Sequence, residues 1–208
     1  MKIRHVHNGI FTFIDSISDT TNAPEQGFYW IDANSSELEQ LQELFQLEEL
    51  DIEDCISEDE QRPKIVIHDS HYFLVINSIR FDDEEIFLRA TNIFLGRHFI
   101  ITVTKQKINE LRSIKPILLE EEVDSADKFL YHLVDLIVDS YFNVALRIEA
   151  KLERLEEDIL MHTKKTHLSE IIGLRSEILW LKKVLGPQRD LIAVLNKREL
   201  RLINNQLQ

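Results

Sequence analysis

Apolar positions in the first third of the chain fall in short runs separated by polar turns. Residues 3–6 and 10–14 are two β-prone runs around Asn8-Gly9, a dipeptide that accepts positive φ and so favours a tight hairpin. Residues 16–26 are polar and read as a loop, and a third run, rich in aromatic and β-branched side chains, covers residues 28–32. It gives way to Asn34-Ser35-Ser36. Ser36 with Glu39 three residues on has the pattern of a capping box, and Leu38, Leu41, Leu44 and Phe45 then supply the apolar face of a short helix. A second short helix is predicted over residues 50–56.

Pro63 opens a block of strands at 64–68, 72–80, 86–95 and 98–104, with Gly96-Arg97 as the predicted two-residue turn between the last two. Their central apolar runs are those of strands covered on both faces, so helices are expected to flank the sheet. Beyond Pro116 neither Gly nor Pro recurs until Gly173. Leu130, Val134, Ile137, Tyr141, Val144, Ile148, Leu152, Leu155 and Ile159 recur at spacings of three and four, which keeps one stripe of a long helix facing a partner. The polar run at 162–167 breaks it. A second helix then sets Ile171, Ile178, Leu181, Leu185, Ile192 and Leu195 on one side, with a kink or restart expected at Gly186-Pro187. The two are expected to pack as an antiparallel hairpin.

The longest apolar candidates, such as residues 92–103, are interrupted by Gly96-Arg97-His98 and fall short of the ~18 to 20 residues of a membrane span, so a soluble chain is expected. The first residues lack the apolar core of a secretory signal. A lone Cys55 cannot form an internal disulfide, which suits a reducing cytoplasm. The net charge of −13 argues against nucleic acid as a partner, because phosphate binding needs clustered Lys and Arg. That charge is unevenly placed. Residues 1–64 hold 15 Asp and Glu against 4 Lys and Arg, and residues 37–60 hold 11 carboxylates with no base, a segment that repels itself unless it is solvated or condenses cations.

No Gly-rich phosphate loop, CxxC, HExxH or nucleophile elbow occurs, so no enzymatic activity is expected. Among the eight His, only His5-x-His7 and the pair His68 and His71 are close enough to share a metal. They read as structural, because imidazole sites normally converge three or four ligands. Hard-cation chemistry fits better, since Mg²⁺ keeps several waters and often touches only one or two carboxylates. Glu53-Asp54 lies on the short second helix at the edge of its apolar residues. Asp135 falls between Val134 and Leu136 in an apolar stretch, where a carboxylate needs a base, solvent or a cation.

Four stretches together resemble one family. Leu50-Asp-Ile-Glu-Asp-Cys-Ile-Ser-Glu-Asp-Glu-Gln-Arg-Pro-Lys64 looks like the segment of CorA divalent-cation transporters in which a Glu-Asp pair and a spacer precede Gln-Arg-Pro-Lys at the start of a strand. Residues 129–142, running on through Leu152-Glu-Arg-Leu-Glu-Glu-Asp158, are similar to that family's first long cytoplasmic helix, and residues 181–195, with Gly186-Pro187-Gln-Arg-Asp190, to the next. Trp30-Ile-Asp32 matches a strand motif upstream, so the resemblance covers nearly the whole chain.

The resemblance implies an α/β fold: a mixed β-sheet sandwiched between helical layers, followed by a long antiparallel helical hairpin. The division expected is an α/β subdomain over residues 1–118 and the hairpin over 119–208. It further implies the ion-sensing domain, on the cytoplasmic face of the cell membrane, of a homopentameric transporter of magnesium, and often cobalt or nickel. In such proteins divalent ions bound as regulators bridge carboxylates of neighbouring subunits. Position by position this makes Asp54 the first candidate ligand, with Glu53 and Asp135 behind it. The family's stalk helix, its two transmembrane helices and its Gly-Met-Asn motif find no counterpart here, so the membrane is expected to be reached through segments outside these residues. A zinc-transporting ZntB-like member of the same superfamily and a soluble helical scaffold are the alternatives.

Overall fold

Asn8 and Gly9 both take positive φ, 46° and 71°, and reverse the chain between β1 (Lys2–His7) and β2 (Ile10–Ile14), which pair antiparallel. A side chain could not replace the glycine hydrogen, because a Cβ there would lie 2.0 Å from the Leu118 carbonyl oxygen. The computed structural model describes residues 1–20, 22–58, 61–82, 85–106, 108–161 and 166–196. Within them β3 (Phe28–Ala33) pairs antiparallel with β1 and parallel with β7 (Phe99–Val103). Antiparallel pairing then continues through β6 (Glu85–Gly96) and β5 (His71–Asp82) to β4 (Lys64–Ile67). The sheet is mixed, in the order β2-β1-β3-β7-β6-β5-β4.

Alternation along β5 separates two cores. Tyr72, Leu74 and Ile76 face α3 (Glu110–Glu120) and α4 (Ala126–Met161), where Trp30 and Phe129 meet with ring centroids 4.9 Å apart. Phe73 and Val75 face the opposite side, against Leu38 and Leu41 of α1 (Leu38–Phe45) and Ile52 and Cys55 of α2 (Glu49–Ile56). Each such side chain contributes about 1.5–3 kcal/mol when fully buried, so both helical layers are held by the same strands.

The capping box ahead of α1 differs from expectation, because it closes a single 3₁₀ turn at Ser35–Glu37 that leads into α1. Asn34, still extended as it leaves β3, accepts from the Ser36 amide, and Glu37 accepts from the Asn34 amide, both at 3.0 Å. The box is therefore Asn34/Glu37 rather than Ser36/Glu39, because the last extended residue is the one whose side chain reaches the free amides of the first turn. The β6–β7 turn also lies one residue later, at Arg97-His98. Gly96 stays in the strand, and a Cβ on it would come within 2.1 Å of the Phe99 ring. Helix α3 was not expected; its buried Leu111, Ile114 and Leu118 carry helical spacing, but Pro116 sits inside it and mimics a boundary.

Helix α4 has 36 residues and is about 54 Å long. Contrary to the sequence reading, it is long and apolar enough by length and composition to cross a membrane; its Phe129, Leu130, Leu133 and Ile137 are nevertheless buried on the sheet. Helix α5 (Thr166–Leu195) returns antiparallel, with Val144 against Leu181 and the Lys151 ammonium donating to Glu177 at 2.9 Å. The expected break between them lies partly in residues 162–165, outside the described residues. There is no restart at Gly186-Pro187; α5 runs on, anchored by buried Gln188 and Leu191. The predicted dry stripe holds near the sheet and, beyond it, at Leu155, which is buried. Farther out Leu152, Ile159, Ile171 and Ile178 are exposed.

The hairpin also completes the sheet. Strand β4 pairs with β5 only as far as Val75, and beyond it the helices take over the bare edge. The Gln188 amide donates to the Asn77 carbonyl at 2.9 Å and accepts from the Asn77 N–H at 3.4 Å, the Tyr141 hydroxyl donates to the same carbonyl at 2.5 Å, and Ser140 Oγ accepts from the Ile79 N–H at 3.3 Å. Side chains thus stand where a neighbouring strand would otherwise be.

Candidate functional site

The acidic helix α2 is anchored by Ile52 and Cys55, which point into the core beneath it. At 100° per residue Asp51 lies about 70° from the middle of that buried face, whereas Glu53 and Asp54 each lie about 130° from it, on opposite sides. Asp51 is accordingly buried and Glu53 exposed, while Asp54, on the side of β4, is half-buried. Asp54 is ion-paired with Lys64, the first residue of β4. Both side chains are more than a third exposed, at 36% and 39%, so the pair is worth at most about 1 kcal/mol.

Asp135 is exposed on α4, beside a shallow cavity lined by Tyr131, Val138 and Ile192. Because α2 and α4 lie on opposite faces of the sheet, one chain does not bring Asp135 together with Glu53 and Asp54.

A third acidic side chain gathers more chemistry. Asp51 is bonded to His68 Nε2 at 2.7 Å, and the His68 and His71 rings lie 4.8 Å apart. Burial raises the Asp51 carboxyl while His68 opposes the shift; burial, with His68 adding to it, pushes His71 down to about 4, so its imidazole is neutral at pH 7. One ligand atom from each of the three residues lies within 4.8 Å of the others. Sequence spacing exposed the two histidines, which sit just after β4 and at the start of β5. It could not reveal Asp51, because that proximity is created by packing α2 on the β4 edge. His5, by contrast, is engaged with the Gln26 carbonyl at 2.7 Å.

Comparison with known proteins locates this arrangement. YfjQ of Bacillus subtilis is 29% identical over 178 residues, which are 81% of this chain and 54% of that protein. The cobalt/magnesium transport protein CorA of Methanocaldococcus jannaschii is 26% identical over 179 residues, 82% of this chain and 56% of that protein. This chain thus spans about half the length of the curated relatives it matches. In structure it resembles the soluble domain of the M. jannaschii CorA, with a TM-score of 0.74, 19% identity and coverage of 99% of this chain and 83% of that one. The ZntB cytoplasmic domain from Vibrio parahaemolyticus follows with 0.75, 16%, 97% and 81%. At those identities the likeness is one of fold. The sequence profile described as CorA-like Mg2+ transporter protein matches residues 25–208, from the loop before β3 through both long helices, and the chain belongs to that family.

Proposed function

We propose that this chain is the divalent-cation-sensing cytoplasmic part of a homopentameric transporter of Mg²⁺ and Co²⁺, with Asp54 as the principal ligand of a regulatory ion held between subunits. The observation that carries the reading is the placement of Glu53-Asp54 on α2 within a family match over residues 25–208: Asp54 is half-buried, and its ion pair with Lys64 is weak enough for a divalent cation to replace. The name of the M. jannaschii relative supports the choice of ions. Asp135 lies across the sheet from α2, so a joint role for the two would require carboxylates from different subunits.

Carboxylates brought together at subunit boundaries repel. At an effective dielectric constant near 20, two unit charges about 4 Å apart cost about 4 kcal/mol, which a bound cation offsets. Shifting a two-state gate from 1:99 to 99:1 takes about 5.5 kcal/mol, so several such interfaces suffice to couple cytoplasmic Mg²⁺ to the pore. The membrane is reached through segments beyond these residues, and no catalysis is assigned.

Ion uptake by the full-length product in cells deficient in Mg²⁺ transport tests this. Restored Mg²⁺ uptake, competed by Co²⁺, is expected. Uptake of Zn²⁺ without Mg²⁺ would replace the reading with the ZntB-like one.

A further inference from the structure

We propose that Asp51, His68 and His71 form a second metal site, selective for borderline divalent ions such as Zn²⁺, Co²⁺ or Ni²⁺ and separate from the hard-cation position at Asp54. Two imidazoles and one carboxylate are the donor set that such ions prefer and that Mg²⁺ does not. The three ligand atoms already lie within 4.8 Å of one another. In a tetrahedral site with bonds near 2.0–2.1 Å, neighbouring ligand atoms stand about 3.3 Å apart, so shifts of about 1 Å or less close the triad on an ion.

A second observation points the same way. His71 is only 1% exposed, yet its Nε2 finds no hydrogen-bond partner among the described residues, whereas its Nδ1 faces Ser70 Oγ at 3.0 Å. A buried ring nitrogen left bare costs roughly 1–3 kcal/mol unless something occupies that direction. Coordination of an ion by Nε2, with Ser70 holding the far side of the ring, would satisfy both nitrogens in the manner usual for metal-bound histidine. The Asp51–His68 bond of 2.7 Å is the contact that the ion would replace. The His68 side chain is 21% exposed, which leaves an entry path and room for a water as fourth ligand.

The site has a structural consequence. Asp51 belongs to α2, His68 follows the end of β4 and His71 opens β5, so a bound ion staples α2 to the sheet one helical turn away from Asp54. The proposal does not rest on the Mg²⁺ reading of Asp54.

The test is titration of the metal-free 208-residue protein with Co²⁺, followed by visible d–d absorption, with Zn²⁺ and Mg²⁺ as competitors. One Co²⁺ per chain is expected, with the intense bands of low coordination, displaced by stoichiometric Zn²⁺ but not by Mg²⁺ in about hundredfold excess. His68→Ala and Asp51→Asn should each weaken binding at least about tenfold, whereas His98→Ala, at the exposed β6–β7 turn, should not. His68 is partly exposed, so its variant is expected to fold, as circular dichroism would check. Equal Co²⁺ affinity in folded His68→Ala, or displacement by equimolar Mg²⁺, would overturn the site.

Discussion

Gln188 shows how much one buried side chain can hold in place. It is 1% exposed, and its amide occupies both the N–H and the carbonyl of Asn77 at the uncovered edge of β5. Gln188→Ala strands the Asn77 N–H, while the carbonyl keeps the Tyr141 hydroxyl, and is expected to destabilise the fold by about 1–3 kcal/mol in urea or guanidinium unfolding. A loss below a few tenths would contradict the edge-capping role. Cys55, fully buried beneath α2, has its thiol pushed up well above the usual range by that burial, with Asp51 and Asp54 adding to it. A thiol-specific reagent should therefore label it only after denaturant unfolds the chain; rapid labelling of the native protein would show that α2 is not packed as described. Sequence reasoning found Gln188 only inside a family motif, because a side chain that stands in for a strand leaves no periodic signal.

At the scale of elements, the hairpin at Asn8-Gly9, the strands and the two long helices were legible because period-two and period-3.6 patterns report which face is buried. What the pattern missed had competing causes. Pro116 concealed α3, since proline usually ends helices. The outer hairpin repeats the apolar spacing of a packed stripe while Ile171 and Ile178 stay exposed, because spacing records amphipathicity and not the presence of a partner. The candidate site was legible as the acidic pair on α2, but its pairing with Lys64 and the adjoining Asp51 depend on how α2 lies along β4. That contact supplies a prediction for the full-length oligomer. Lys64→Gln removes the ammonium that competes with an ion at Asp54, and because an exposed pair is worth up to about 1 kcal/mol, Mg²⁺ affinity by calorimetry should rise by up to about fivefold. A weakened affinity would place Lys64 on the side of the ion rather than against it.

For the molecule as a whole, the sensing account requires that Mg²⁺ act on the assembled ring more than on one chain. In the isolated 208-residue protein a millimolar ion acting on a comparable Kd stabilises by less than about 1 kcal/mol, so Mg²⁺ should raise Tm only slightly. A rise of many degrees would show that the regulatory ion is held within a single chain. The central claim concerns the ring itself and is reached most directly by limited proteolysis of the full-length protein, with cleavage of the long helices α4 and α5 followed across a Mg²⁺ titration in wild type and Asp54→Asn. Asp54→Asn keeps the shape of the side chain and removes its charge, so Mg²⁺ should protect the wild type progressively and protect the variant only at higher concentration, with the fold unchanged. Equal protection of both proteins at every Mg²⁺ concentration would contradict a sensing role for Asp54.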